Sequence, residues 1–214
     1  MAWLPLLRSR LAQVLTAAGP DAPTLCEGWR TRHLAAHLVL RQSDPVYGLD
    51  LVTPAFAERA ERRVQWLGGA PGDEAGYASL VARVAAPPPP WHPLHWTGDL
   101  GDLLELTVHT LDVTRAGQVP DLPYESGLAD AVWVHLTRTA PAMLRTWPTG
   151  VVLVRPDGTR ARVRRPPAGA GTLVVRGTLA DLLLWCFGRR GAADVHVEGA
   201  EADLRTLTHA QHRP

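Results

Sequence analysis

Leu4, Leu7, Leu11, Val14 and Leu15 recur at the three- and four-residue spacing of one helical face, and Gly19-Pro20 ends that stretch. Thr31 is placed to cap a second helix running to about Gln42. Thr53-Pro54, a hydroxyl cap followed by proline at the first helical position, predicts a third helix that stops at Gly68-Gly69. A short helix is expected over 73–85. The run Pro87 to Pro90 then breaks regular structure, and Trp91-His92-Pro93-Leu94-His95-Trp96 reads as an irregular loop. Beyond it, Asp99 is placed to cap a helix bearing Leu100, Leu103, Leu104, Leu106, Val108, Leu111 and Val113, closed by Gly117. That helix is apolar around much of its circumference, which predicts a central place in a bundle. A last helix of this half covers about 125–146, with Pro141 as a kink or break.

After Pro148 the period changes from helical to alternating. Val151 to Val154 and Thr159 to Val163 flank Pro156-Asp157-Gly158 and predict a hairpin, and Leu173-Val174-Val175 predicts a third strand. Thr178 caps a leucine-rich helix ending at Gly188, Val195-His196-Val197 is a fourth strand, and Glu201 to His209 a final helix. The pattern therefore predicts two domains, a helical one over 1–148 and a small α+β one over 149–214 with element order βββαβα.

Composition alters this picture little. The chain has 214 residues, 22 basic and 21 acidic groups, and a net charge of +1, so no global field draws in nucleic acid or an acidic membrane surface. All the basic residues other than histidine are arginine. No apolar run approaches the roughly 20 residues that span a bilayer. Met1 to Pro5 shows neither a basic n-region nor a long apolar stretch, so no signal peptide is expected and the location is read as cytoplasmic. Cys26 and Cys186 form no CxxC motif and read as buried packing residues. Sequence motifs for a Walker loop, a GxGxxG turn or a GxSxG elbow are absent.

The chemistry concentrates on the central helix. Glu105 and His109, four residues apart, project from one face with Cβ atoms roughly 5–6 Å apart. A carboxylate and an imidazole at this spacing can bind one ion, although the same spacing is common on exposed helices. His37, flanked by Ala35, Ala36 and Leu38, faces the bundle core as either a satisfied core histidine or a third ligand. As a ligand it would complete a triad with open positions, the pattern of a reactive rather than a closed structural site.

Thr24-Leu25-Cys26-Glu27-Gly28-Trp29, Ala35-Ala36-His37-Leu38 and Glu105 through Val113 resemble the mycothiol-dependent maleylpyruvate isomerase family of DinB-like metal-binding proteins, in an actinobacterial-type metal-binding branch. The likeness runs over nearly the whole chain, including Val152 to Gly158 and Phe187-Gly188-Arg189-Arg190. It implies a DinB-like four-helix-type bundle followed by the small α+β domain. It also implies metal ligation by His37, Glu105 and His109, with zinc the usual ion and iron, nickel or manganese as alternatives. Two departures stand out. Where the family has an aspartate four residues before its first histidine, this chain has His33, a hydrogen-bonding partner of the ligand, a fourth ligand or a solvent-facing residue. Where the branch has His-His-Glu-Asp, this chain has His109-Thr110-Leu111-Asp112. Asp112 reads as an acceptor that orients the site rather than as a ligand.

Three further features carry alternatives. His92 and His95 either close over the site or are exposed loop residues, and Trp91 and Trp96 either pack or wall a pocket for a small molecule. Arg160, Arg162 and Arg164 alternate along a strand and so share a face, which either holds a cofactor's anionic group or is solvated. The resemblance implies a metal-dependent thiol transferase or isomerase that uses a mycothiol-type thiol on a small electrophile. A metal-dependent hydrolase and a non-catalytic metal or small-molecule binding protein are the alternatives. A small-molecule substrate and a low-molecular-weight thiol are the expected partners, with no nucleic acid and no membrane, in a monomer or homodimer.

Overall fold

The computed structural model describes residues 3–210 apart from 71, 98, 118 and 122. In the first half the helices form where an apolar stripe can be buried. Helix α1 (Leu4–Ala18) buries Leu7, Leu11, Val14 and Leu15, and α2 (Thr31–Ser43) buries Leu34, Ala35, Ala36, Leu38 and Val39. Thr31 turns out to be the first helical residue of α2, and its hydroxyl donates to Gly19 O instead of capping the helix.

Helix α3 (Pro45–Val52) has no counterpart in the hydrophobic pattern. Asp44 creates it. Its backbone N–H closes α2 on Leu40 O, while its carboxylate accepts the N–H groups of Val46 at 2.9 Å and Tyr47 at 3.3 Å. Pro54–Phe56 forms only a 3-10 turn, so the third expected helix begins later, as α4 (Ala57–Gly69). Gly68 lets α4 approach α2: a Cβ there would lie 2.6 Å from His33 Cδ2 and 3.1 Å from His33 Cα. Asp73 caps α5 (Glu74–Ala85) by accepting Gly76 N–H at 2.8 Å. The expected irregular loop contains a short helix, α6 (Pro93–Thr97).

The central helix is α7 (Asp99–Thr114), with Leu103, Leu106, Val108, Leu111 and Val113 at most 3% exposed. Gly117 N–H closes its end on Val113 O at 3.1 Å. The side chain of Asp99, its expected cap, lies outside the described residues. Helix α1 packs on α5 and α7, and α2 on α4 and α5.

The chain forms two compact units, Met1–Pro123 and Tyr124–Pro214. Helix α8 (Ser126–Met143) belongs to the second, because its apolar face packs on the sheet and on the next helix rather than ending at Pro148 as a boundary element. Strands β1 (Gly150–Val154), β2 (Arg160–Arg164), β3 (Thr172–Gly177) and β4 (Val195–Glu198) form one sheet in the order β2-β1-β3-β4. The hairpin β1-β2 is antiparallel across Gly158 at φ 83°, β1 and β3 are parallel, and β3 and β4 antiparallel. Thr178 caps α9 (Leu179–Cys186), whose Leu182, Leu183 and Leu184 are fully buried, and α10 (Glu201–Ala210) follows β4. A helical bundle followed by a small α+β unit is thus the architecture. Among the described residues no helix is long and apolar enough to cross a membrane.

Candidate metal centre

Helices α2 and α7 bring the three expected ligands to one point. His37 Nε2 lies 3.0 Å from Glu105 Oε1, and His109 Nε2 lies 3.1 Å from the same oxygen. The ring centroids of the two histidines are 5.1 Å apart. Donors about 2.1 Å from one divalent ion would lie roughly 3–3.5 Å apart, so these separations suit a shared ion. The donor chemistry, two imidazoles and a carboxylate, suits a transition metal and leaves further positions open.

The other ring nitrogens are already engaged, which fixes which atom faces inward. His37 Nδ1 is 2.7 Å from the hydroxyl of Tyr47, which is fully buried on α3. His109 Nδ1 is 2.8 Å from Asp112 Oδ2, one turn along α7. Such partners orient metal-binding imidazoles and select their tautomers.

Electrostatics agree with this arrangement. Burial pushes His37 below its ordinary value, so it is neutral at neutral pH. Burial alone would raise Glu105, yet the charge of His109 and the hydrogen bonds from both histidines hold it well below the usual carboxylate range. Burial alone would lower His109, but the Glu105 charge and the Asp112 hydrogen bond hold it well above its ordinary value. A charged His109 donates from Nε2 to Glu105 and from Nδ1 to Asp112. A neutral His37 donates from Nε2 to Glu105 and accepts the Tyr47 hydroxyl. A divalent ion on both Nε2 atoms would therefore displace the His109 proton, move the His37 proton to Nδ1, and turn Tyr47 from donor into acceptor.

A second convergence shares His109. Donor atoms of Cys26, His109 and Asp112 lie within 4.8 Å of one another, and Cys26 Sγ is 3.2 Å from Asp112 Oδ2. Cys26 is half-buried rather than a core residue, whereas Cys186 is buried as expected. Beside the centre, Arg41 Nε approaches Glu105 Oε1 at 3.5 Å, and the Arg41 guanidinium also pairs with Asp102.

The remaining candidates lie elsewhere. His33 sits at the start of α2, where its Nδ1 accepts the Arg30 N–H at 3.0 Å and its ring meets Gly68; it is a capping residue and not one of the gathered donors. His92 is buried, with Nδ1 accepting Leu94 N–H at 3.2 Å, and His95 is exposed with Nδ1 3.3 Å from Pro88 O. Neither joins the donor cluster. Trp91 and Trp96 are 63% and 77% exposed, so they are not core packing residues. On the second unit, Arg160, Arg162 and Arg164 line a groove of about 930 Å³ together with Arg165, Val152 and Pro141. Sequence reasoning missed Tyr47 and the placement of Cys26. For Tyr47 the usable signal was Asp44-Pro45, an N-cap followed by proline.

No protein-family model and no curated protein sequence matches the chain. Among solved structures, the chain is similar to the mycothiol-dependent maleylpyruvate isomerase. The alignment with a histidine-to-alanine mutant of that enzyme has a TM-score of 0.56 at 19% identity, and covers 90% of this chain and 89% of that one. A second structure of the isomerase gives a TM-score of 0.53 at 20% identity over the same shares. At these identities the likeness concerns the fold, and the chain has the fold of these isomerases.

Proposed function

We propose that the protein is a metal-dependent thiol transferase or isomerase. Its divalent ion, zinc as the family resemblance implies, with iron, nickel or manganese as alternatives, is held by His37, Glu105 and His109, and it acts with a mycothiol-type thiol on a small electrophilic molecule. The observation that carries this reading is the meeting of His37 Nε2 and His109 Nε2 at Glu105 Oε1, with both Nδ1 atoms held by Tyr47 and Asp112. The thiol is supported by the similar solved structures, which are of a mycothiol-dependent isomerase.

An ion in this position supplies Lewis acidity, which lowers the pKa of a thiol placed beside it and so provides thiolate at neutral pH. The chain's own residues do the rest. Asp112 and Tyr47 fix the two imidazole rings. Glu105, whose side chain is 23% exposed against 6% and 7% for the histidines, forms the flank from which a substrate approaches. Arg41, reaching toward Glu105, adds a positive charge on that flank.

The test is metal content of the purified chain under non-chelating conditions, beside His37→Ala and Glu105→Ala, followed by turnover of an electrophile with and without mycothiol. Stoichiometric metal lost in both variants, with turnover that needs both metal and thiol, is the expected result. Metal-dependent turnover without thiol would replace the reading with hydrolysis. A chain that carries no metal would end it.

A further inference from the structure

The segment between α1 and α2 is a small closed loop. Pro23 and Arg30 form an isolated antiparallel bridge. Inside it, the Thr24 hydroxyl donates to Trp29 O at 2.9 Å and accepts Cys26 N–H at 3.2 Å, while Trp29 N–H donates to Cys26 O at 3.0 Å. Gly28, at φ 76°, turns the chain back in a conformation that side-chain-bearing residues rarely adopt. The loop is tied to α7 by Leu25 N–H, which donates to Asp112 O at 2.9 Å. This construction leaves Cys26 little freedom, and it sets Sγ 3.2 Å from Asp112 Oδ2. That same oxygen takes the His109 Nδ1 proton at 2.8 Å.

We propose that Cys26 is a positioning residue of the metal centre: its thiol donates to Asp112 Oδ2 and so holds the carboxylate in the orientation that fixes the His109 ring. The inference rests on the metal reading above. Asp112 is fully buried, and a buried carboxylate oxygen held by two donors has less rotational freedom than one held by a single imidazole. Two rival roles fit less well. As a ligand, Cys26 would need an ion on the Nδ1 side of His109, which takes the proton given to Asp112 and leaves an anionic ring whenever Nε2 is also engaged. As plain packing, a half-buried thiol needs neither the loop's anchor on Asp112 O nor the contact with Oδ2.

The experiment uses Co²⁺ as the probe with the full chain, Cys26→Ser and Cys26→Ala. It reads affinity by chelator competition, coordination by visible and near-ultraviolet absorption, and folding by thermal melting. Serine keeps a donor, so Cys26→Ser should stay within about twofold of the parent, while Cys26→Ala weakens Co²⁺ binding about fivefold to tenfold. In an Asp112→Asn background, where the carboxylate is gone, Cys26→Ala should cost nothing more. Equal affinity in the alanine variant, or equal loss in both variants, overturns the inference and leaves the metal centre standing. A sulfur-to-cobalt charge-transfer band that vanishes in Cys26→Ser makes Cys26 a ligand and also overturns it. If the parent chain takes up no stoichiometric Co²⁺, this inference and the metal reading fall together.

Discussion

Asp102 and Glu105 sit three residues apart on α7, both carboxylates and both largely withdrawn from water, and their surroundings differ in kind. Asp102, 2% exposed, is closed between the guanidinium groups of Arg8 and Arg41. Glu105 faces His37 and His109, with Arg41 only at 3.5 Å. Arginine does not give up its proton in a protein, so the Asp102 cluster is complete as it stands. Histidine does, so the Glu105 cluster can exchange protons for a metal ion. One turn of helix separates an ion pair that holds helices together from a group of donors suited to chemistry.

The sharpest way to break this contrast is Asp102→Ala. It leaves Arg8, itself 4% exposed, and Arg41 without their shared partner, and should cost about 3–5 kcal/mol of stability in urea denaturation. A loss below about 1 kcal/mol, the range of exposed pairs, would show that the pair is not a structural tie.

The next effect is in pH, and the two states of the centre move oppositely. His109 is held above its ordinary 6.5, so its contribution to the metal-free fold is full below 6.5 and is lost as pH rises through the raised value. Glu105 is held below its ordinary 4.5, so its contribution is present above 4.5 and is lost as pH falls through the lowered value. Metal binding needs the His109 proton to leave. Affinity should therefore climb by up to about tenfold per unit as pH rises from 6.5 toward the raised value, while the thermal stability contributed by His109 in the metal-free chain declines over the same window. Competition titrations and melts of the metal-free chain over that range check both slopes. A flat affinity would remove His109 from the ligand set.

Tyr47→Phe is the smallest and most specific change. It removes one hydroxyl from His37 Nδ1, and should weaken metal binding about tenfold at a stability cost of about 1 kcal/mol. A variant that loses stability but keeps its metal affinity would make Tyr47 a core residue alone.

Helix α1 with its one-sided leucine stripe, helix α7 with apolar residues around much of its circumference, and the hairpin around Gly158 were legible because local spacing determines them. Helix α3 was not, because Asp44 ends one helix and caps the next without an intervening loop. The cost was Tyr47, which rides on that hidden helix. The triad of His37, Glu105 and His109 needed the family resemblance, since α7 supplies two members at a readable spacing but nothing local ties them to α2. Arg8, Arg41 and Asp102 come from three separate helices, and their pairing is a property of packing rather than of any local pattern. His33 shows the reverse case, a histidine in a suggestive position whose backbone contact makes it a cap.

The unequal exposure of the three donors bears on time as well as affinity. The His37 and His109 side chains are nearly closed to solvent, and that of Glu105 is the most exposed of the three. On the proposed reading, an ion would first meet this carboxylate and the Arg41 guanidinium beside it. Exchange of such an ion would then depend on how readily that carboxylate moves. In a cell where several divalent metals compete, the ion found in the protein would then reflect the order of arrival as well as the order of binding strength.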